Sequence, residues 1–577
     1  MTVSVPIGTA TYAPAADLER LIRQSDESLS AEILVEADER ERFPHDGLAV
    51  IRDWGFGDLL VPRHIGGRLD SYEQLFAAFR ALARRDARFA VYYGTTLLAA
   101  NPVWLWGDGT QQRWLAAAVR DGACGTFAMS EADHGSDLIN CGVRARRDGD
   151  RFVVDGSKWL VGNGNRGTFL TLYARTGTQA FSLLLLDKEK LPEGRWRPLD
   201  RVPTLGLRGH DLSGIEFSAC PVPEQTLLGK EGSGAAKVLK TLQLTRTLIG
   251  GFAMGGLDTA LRIALRYAQG RELYGAPITK IPVVGGVLVD AYLDLLIGEC
   301  TAVPVTRAIS AAPGRVSLWS SVVKYLVPAI CEEAVAGLAT VLSARRYLRT
   351  EFAYRHFQKI ERDLVIAGIF EGTSHVNLAS IAAQLPHVND GRGRDHARDD
   401  GLLAHLFALG TEPRTWQPSG AAMRLTNGTD DEITTGWPRH RARALELMAA
   451  LDATLSAELA AVLDRLDRIR ARLLRDVQAL AVQHSRRPGA HAFTVARTHA
   501  LLHAAGSVLL TWIHARDTLS PQFRDGEWVV LCLDRIVRRL RTDLARNERL
   551  MPVAFDLMCR QAEAGELFSL MPMAIAE

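Results

Sequence analysis

The chain has 577 residues, 47% of them hydrophobic and 23% charged, the profile of a folded globular protein and not of a disordered one. Such a length exceeds a single core, so three or four domains are expected. Lys+Arg 68 against Asp+Glu 66 leaves a formal net charge of +2, which excludes the basic excess of a nucleic-acid binder.

Residues 1–125 read as a helical domain. Residues 31–42 form a charged amphipathic stretch, and Leu75, Phe76, Phe79 and Leu82 recur at helical spacing over 73–84. FGDLLVPRHIGGRLD between them is a loop, marked by Pro and paired Gly. From 126 to 230 the texture changes. Short alternating or apolar runs at 143–147, 151–155, 169–175, 181–187 and 215–219 are separated by turn signals such as Asp148-Gly149-Asp150. They predict a β domain of about a hundred residues.

The helical period returns over 231–385. Leu239, Leu242, Leu244 and Leu248 lead into GGFAMGGLDTAL, whose small residues allow helices to approach closely. Further helices are predicted over 287–296, 321–342 and 364–383. Residues 386–440, with HVNDGRGRDHARDDG and Pro413, Pro418 and Pro438, read as a linker. Residues 441–577 form an extra helical domain, in which Leu451 to Leu480 keep one apolar face through about eight turns. Two more helices follow near 491–516 and 526–547. A β insert between helical blocks places the expected site at their junction.

Cysteines at 124, 141, 220, 300, 331, 532 and 559 contain no C-x-x-C, so neither a disulfide scaffold nor a metal site is expected. The N-terminus lacks a basic region followed by an apolar one, and no signal peptide is expected. The most apolar stretch, 321–344, contains Lys324, Glu332 and Glu333, which argues against a membrane span. A reducing cytosol is the expected compartment.

Four local features carry chemistry. Gly162 to Gly167 satisfies G-x-G-x-x-G, but strand-like TFLTLYART follows where a dinucleotide site needs a helix, so this is a β-turn. Ser130 to Asp137 forms a tight loop of hydroxyls and amides, either a solvated turn or a seat for an anion or flavin edge. Arg271 ends a helix, where it either binds phosphate or complements the helix dipole. Glu371 follows the apolar run LVIAGI; it is either a helix-terminal Glu or a buried carboxylate whose raised pKa suits proton abstraction.

Taken together, these features resemble the acyl-CoA dehydrogenase family over residues 30 to 385. DERERFP and LLVPRHIGG resemble its N-terminal signatures, FAMSEADHGSD its flavin loop and DGSKWLVGNG its G-x-K-x-x-I-T-N strand. LLGKEGSG, LTRTLIGGFAMG, YAQGRELYGAPI and RDLVIAGIFEGTS follow in the family's order. The resemblance implies a mainly α fold with a β insert: an N-terminal helical domain, a middle β-barrel-like domain and a C-terminal four-helix bundle, here with an extra helical domain. It implies FAD-dependent α,β-dehydrogenation of a fatty acyl thioester on CoA or an acyl carrier protein. Glu371 would be the catalytic base, because the alternative base position one helix earlier is Thr245.

Flavin contacts are implied for Phe127, Met129, Ser130, Gly135 and Ser136 in the loop. Leu160 and Gly162 stand on the strand, and Phe370, Thr373 and His375 stand around the base. Arg271, with Tyr274 beside it, would reach the FAD of a neighbouring subunit, and Arg246 would support the acyl site. Three positions depart from the family. Its flavin-packing Trp and the Thr two residues later align with Leu160 and Gly162, while Trp159, one position off, is expected to face the other way. The Q-x-x-G-G-x-G segment becomes TVLSARRYL, and a Gln becomes His375.

The last 180 residues resemble the extension of the very-long-chain branch, which implies a homodimer; long forms also desaturate carrier-bound chains in lipopeptide pathways. Electrons would leave to an electron-transfer flavoprotein or O₂. An oxidase or epoxidase on the same fold is one rival reading. A non-catalytic scaffold, motivated by the departures, is the other.

Overall fold

The computed structural model describes residues 9–388, 396–482 and 489–576. Seven helices open the chain: α1 (Thr9–Gln24), α2 (Asp26–Leu29), α3 (Ala31–Glu39), α4 (His45–Asp53), α5 (Tyr72–Arg85), α6 (Ala87–Trp106) and α7 (Gly109–Arg120). Side-chain caps fix where three of them start. Ser71 accepts from Gln74 N ahead of α5, Asp86 from Arg88 N ahead of α6, and Asp108 with Gln111 forms a capping box on α7.

The middle domain is one seven-stranded curled sheet of β1 (Gly125–Ala128), β2 (Arg144–Asp148), β3 (Arg151–Gly162), β4 (Phe169–Arg175), β5 (Phe181–Asp187), β6 (Trp196–Leu199) and β7 (Leu212–Pro223). Its order is β1-β4-β2-β3-β7-β6, with β5 antiparallel to β4 and β1 parallel to it. The G-x-G-x-x-G segment is indeed the turn between β3 and β4. Asp211 holds it by accepting from Asn165 N and Arg166 N, both at 2.8 Å.

The bundle follows as α8 (Gly234–Gly270), a hairpin of β8 (Glu272–Leu273) and β9 (Ala276–Pro277), then α9 (Pro282–Ala311), α10 (Val316–Leu342), α11 (Phe352–Leu364) and α12 (Ser374–Gln384). The glycine face of α8 lies against α5. A Cβ at Gly251 would stand 2.9 Å from Phe76 O, and one at Gly255 2.5 Å from Arg80 O, so any side chain there would force the helices apart. By length and composition α8 could cross a membrane, but 94% of its most apolar window is buried inside the protein.

The helix predicted over 364–383 is broken. A short 3-10 turn (Val365–Gly368) follows α11, Glu371 and Gly372 adopt left-handed φ of 59° and 98°, and Thr373 then caps α12. Adjacent Gly and an N-capping Thr outweigh the apolar period here.

The stretch read as a linker is also more structured than expected over its described part. It contains α13 (His396–Phe407) and α14 (Glu432–Thr435). Trp416 is buried there, edge-on to Tyr72 at 5.0 Å, with its N–H donating to Asp70 O. Composition gave no hint of this, because the apolar anchors are few and widely spaced.

The extra domain comprises α15 (Trp437–Ala449), α16 (Ala453–Val482), α17 (Ala490–Ala515), α18 (Glu527–Leu540) and α19 (Met551–Glu563). Arg535, Arg538, Arg539 and Arg546 on and after α18 pair with Asp290 and Asp294 on α9. Residues 566–576 then run between the bundle and the first domain. Phe568 N donates to Asp258, Leu570 N to Glu299 and Ala576 N to Glu19, each at 2.9 Å, while Arg80 donates to Phe568 O at 2.7 Å.

Candidate active site

A cleft of about 490 Å³ opens where the β domain meets the bundle. Phe127, Met129 and Ser130 at the end of β1 form one side, and Trp159, Leu160 and Gly162 on β3 another. Val365, Ile366, Ile369, Phe370 and Glu371 come from the break between α11 and α12, with Val91, Thr95 and Leu98 from α6. The surface is strongly apolar. Leu160, Leu205, Val365 and Ile369 are exposed at it, a grouping of large apolar side chains that marks a ligand site.

Glu371 stands at the buried head of this cleft. Its Oε2 has no hydrogen-bond partner among the described residues. Burial raises its pKa above the ordinary carboxylate value, while the Thr245 hydroxyl and the charges of Lys324 and Arg246 pull the other way. Arg246 on α8 donates through Nε to the Glu371 carbonyl at 3.2 Å, fixing the left-handed backbone. Lys324 on α10 donates to Ala367 O and lies 5.5 Å from the centre of the Phe370 ring. Burial lowers Lys324 to about 8 and Arg246 to about 10, Glu371 opposing both shifts, so both remain cationic at neutral pH. Glu332, raised to about 7 chiefly by burial, completes the group.

The loop after β1 is held from below. Lys158 on β3 is fully buried and donates to Met129 O at 2.9 Å and to Glu131 Oε1 at 2.7 Å. Glu131 also accepts from Gly142 N and Val143 N. Burial would raise Glu131, but these donors bring it below the ordinary value. On the opposite wall, Asp363 accepts from Leu207 N, and Arg362 donates to Leu205 O and pairs with Asp38. These bonds tie the 203–212 segment to α11. His210 on that segment lines the cleft and is kept neutral, its pKa lowered to about 3 by burial and by Arg166.

The departures at β3 take a different form in three dimensions. The β3–β7 register shifts between Trp159 and Val161, with Leu160 at φ 59°. This bulge breaks the alternation, and Trp159 lines the cleft together with Leu160, correcting the expectation that it faces away. A Cβ at Gly162 would stand 2.7 Å from Thr95 Oγ1, so the hydroxyl of Thr95 on α6 fills the space a side chain at 162 would take.

The other sequence candidates divide. Phe127, Met129, Ser130, Phe370 and Glu371 come together in the cleft with Leu160 and Gly162. Gly135 and Ser136 lie exposed on the loop beyond Ser130, and a Cβ at Gly135 would meet nothing within 4 Å. Thr373 caps α12. His375 faces Phe493 of α17, ring centres 6.0 Å apart, and Arg246 lies beneath Glu371, off the cleft wall. Arg271 and Tyr274 are exposed beyond the far end of α8. Lys324, His210, Lys158 and Thr95 were missed as site residues. Lys324 had a signal, a lone Lys in a long apolar helix, and Lys158 had one as the Lys of the G-x-K motif; His210 and Thr95 had none.

The residues present suit a flavin. The cleft volume falls within the range of small-molecule sites, and Trp159, Ser130 and Thr95 offer a ring and two hydroxyls on its walls.

A buried carboxylate thus heads an apolar cleft between a β domain and a helical bundle. The acyl-CoA dehydrogenase N-terminal, middle and C-terminal domain families match residues 17–121, 126–220 and 232–385, and the chain belongs to the acyl-CoA dehydrogenase family of flavoprotein oxidoreductases acting on CH–CH groups. A protein of Mycobacterium tuberculosis described as a probable acyl-CoA dehydrogenase is 27% identical over 388 residues, 64% of this chain and 98% of its own. The butyryl-CoA dehydrogenase structure from Megasphaera elsdenii covers 67% of this chain and 100% of its own, at TM-score 0.59 and 20% identity. The prolyl acyl carrier protein oxidase AnaB covers 65% and 98%, at TM-score 0.58 and 20% identity.

Proposed function

We propose that this protein desaturates a medium-to-long fatty acyl thioester at the α,β position, on CoA or an acyl carrier protein, with FAD as cofactor. The observation that carries the reading is the buried Glu371 carboxylate, one oxygen unpartnered, at the head of an apolar cleft. Ser130, Trp159 and Thr95 would hold the flavin, which when bound supplies the acceptor for the β-hydrogen as hydride.

The chain's own residues handle the proton. Deprotonated Glu371 takes it from the α-carbon, and burial makes that carboxylate a stronger base than one in water. The α-hydrogen of a thioester is weakly acidic, so charge developing on the carbonyl oxygen needs a donor; the Glu371 N–H is the candidate. Once Glu371 holds the proton, the positive charges of Arg246 and Lys324 are less neutralised, Glu332 balancing only part of Lys324, which favours the enolate. The apolar walls keep water from competing.

Arg271 lies 25 residues along α8 from Arg246, about 37 Å at helical rise. It would therefore meet a cofactor only in a neighbouring subunit, which supports a homodimer. Six of the seven cysteines are buried and all are free, which suits a reducing cytosol.

Glu371→Gln tests the base: the variant should bind flavin and acyl-CoA but lose solvent exchange of the α-hydrogen, and normal turnover would refute the assignment. The likeness to AnaB favours one second reading, an oxidase. Anaerobic reduction followed by exposure to O₂ separates the two, since rapid reoxidation with stoichiometric peroxide belongs to the oxidase. A colourless protein that cannot be reconstituted with FAD would instead point to a scaffold.

A further inference from the structure

One buried cluster takes no part in the chemistry above. Asp431 lies just ahead of α14, and His499 and His503 stand one turn apart on the same face of α17. All three are buried, and one potential ligand atom from each falls within 4.8 Å of the others. His499 Nε2 is 3.5 Å from Asp431 Oδ2, and His503 Nδ1 is 4.0 Å from Oδ1.

The cluster is unsatisfied as it stands. His499 Nε2 and both ring nitrogens of His503 lack a hydrogen-bond partner among the described residues, although buried polar atoms nearly always find one. Burial pushes both imidazoles towards the neutral form, His503 to about 4, with Asp431 opposing. Arg315, the nearby cation, pairs with Asp430 and Glu432, the residues on either side of Asp431. The buried Asp431 carboxylate faces two imidazoles and pairs with no Lys or Arg among the described residues, and a buried charge without a counter-charge is disfavoured.

Asp431 is nevertheless oriented. Trp319 on α10 donates to Oδ1 at 2.9 Å, and the Thr434 hydroxyl donates to Oδ2. Each oxygen keeps a lone pair, and outer hydrogen bonds of this kind orient metal-binding carboxylates.

We propose that Asp431, His499 and His503 bind a divalent transition-metal ion, with Zn²⁺ the best match. Two imidazoles and one carboxylate suit a borderline ion. Ligand atoms about 2.0–2.1 Å from a tetrahedral ion lie roughly 3.3 Å apart, a spacing that His499 and Asp431 already approach. His503 closes the remainder by a side-chain adjustment of about 1 Å or somewhat more. A cavity of about 180 Å³ lined by His499, Thr434, Thr435 and Leu502 gives a path inward and room for a water as fourth ligand. The ion would pin α17 to the 431–435 turn and, through Trp319, to α10. It would act as a structural clasp between the bundle and the extra domain, separate from the catalytic cleft.

The test uses the full-length protein purified without chelators or metal-affinity resins. Elemental analysis should find close to one equivalent of Zn²⁺ per chain. After chelator treatment, titration with Co²⁺ should give visible ligand-field bands that saturate at one equivalent, and Zn²⁺ should raise the melting temperature. Asp431→Asn and the double variant His499→Gln, His503→Gln should lose the bands. Absence of metal as purified, no Co²⁺ spectrum and an unchanged melting temperature with Zn²⁺, all read on the wild-type chain, would overturn the proposal even if the variants fail to fold. So would Co²⁺ bands that persist in a folded double variant.

Discussion

Replacing Lys324 by methionine keeps the length of the side chain and removes one of the two charges that hold Glu371 deprotonated. Lys324 bonds to Ala367 O. Its ammonium also lies 5.5 Å from the ring centre of Phe370, the residue next to Glu371, which sets its distance to the carboxylate on the order of 6–8 Å. At an effective dielectric constant of about 20, a unit charge at that range is worth about 2–3 kcal/mol. The deprotonated fraction of Glu371 should fall by roughly 30–100-fold wherever its protonation limits the rate.

The sign follows from the direction of the shifts. Burial already places Glu371 above the ordinary carboxylate value, so the acid limb of wild-type kcat/KM lies higher than for an exposed Glu, and the variant's limb lies higher still. The assay is kcat/KM against pH, using the acyl-CoA that turns over best in a chain-length panel. The variant should lose activity on the acid side and converge on wild type in alkali, where the base is deprotonated in both. Lys324 itself loses its proton near 8, which brings the two profiles together there. Superimposable profiles, or an equal loss at every pH, would refute an electrostatic role.

Thr95→Val and Trp159→Ala should each lower the fraction of FAD retained through gel filtration, because these side chains supply the hydroxyl and ring that positions 162 and 160 lack; retention equal to wild type would separate both from the cofactor. Phe568→Ala should destabilise the protein by about 3–5 kcal/mol, the range for truncating a buried aromatic, read as a lower denaturation midpoint. Phe568 is fully buried, with the Arg262 guanidinium 4.1 Å from its ring centre and Tyr292 edge-on at 5.8 Å. A midpoint within error of wild type would show that the 566–576 segment contributes little to stability.

Much of the fold was legible because its periods are strong. Strands β4 and β5 coincide with the alternating runs at 169–175 and 181–187, and the longest predicted helix of the extra domain matches α16. Glu371, the proposed base, was singled out by its motif, and its burial was legible from the apolar run before it. Its backbone was not, since Gly368, Gly372 and Thr373 impose a break that hydrophobic spacing reads straight through. Trp159 was misread for a related reason. Strict alternation assumes an unbroken ladder, and a bulge at Leu160 leaves no signature in apolar spacing. Lys324, Thr95 and His210 come from segments distant in sequence, and their convergence depends on packing that no local pattern encodes.

The return of residues 566–576 to the first domain has a consequence for biosynthesis. Glu19, Arg80 and Arg84 lie on α1 and α5, yet part of their hydrogen bonding goes to Phe568 and Ala576, made about five hundred residues later. At about 5–20 residues per second, that interval lasts roughly half a minute to a minute and a half. Throughout it, Glu19 and Arg84 have each other as partners, while their bonds to Ala576 wait for a later part of the same chain. The break at Glu371 is translated within that window. The contacts that tie α1 and α5 to residues 566–576 thus form only after the segment carrying Glu371 has been made.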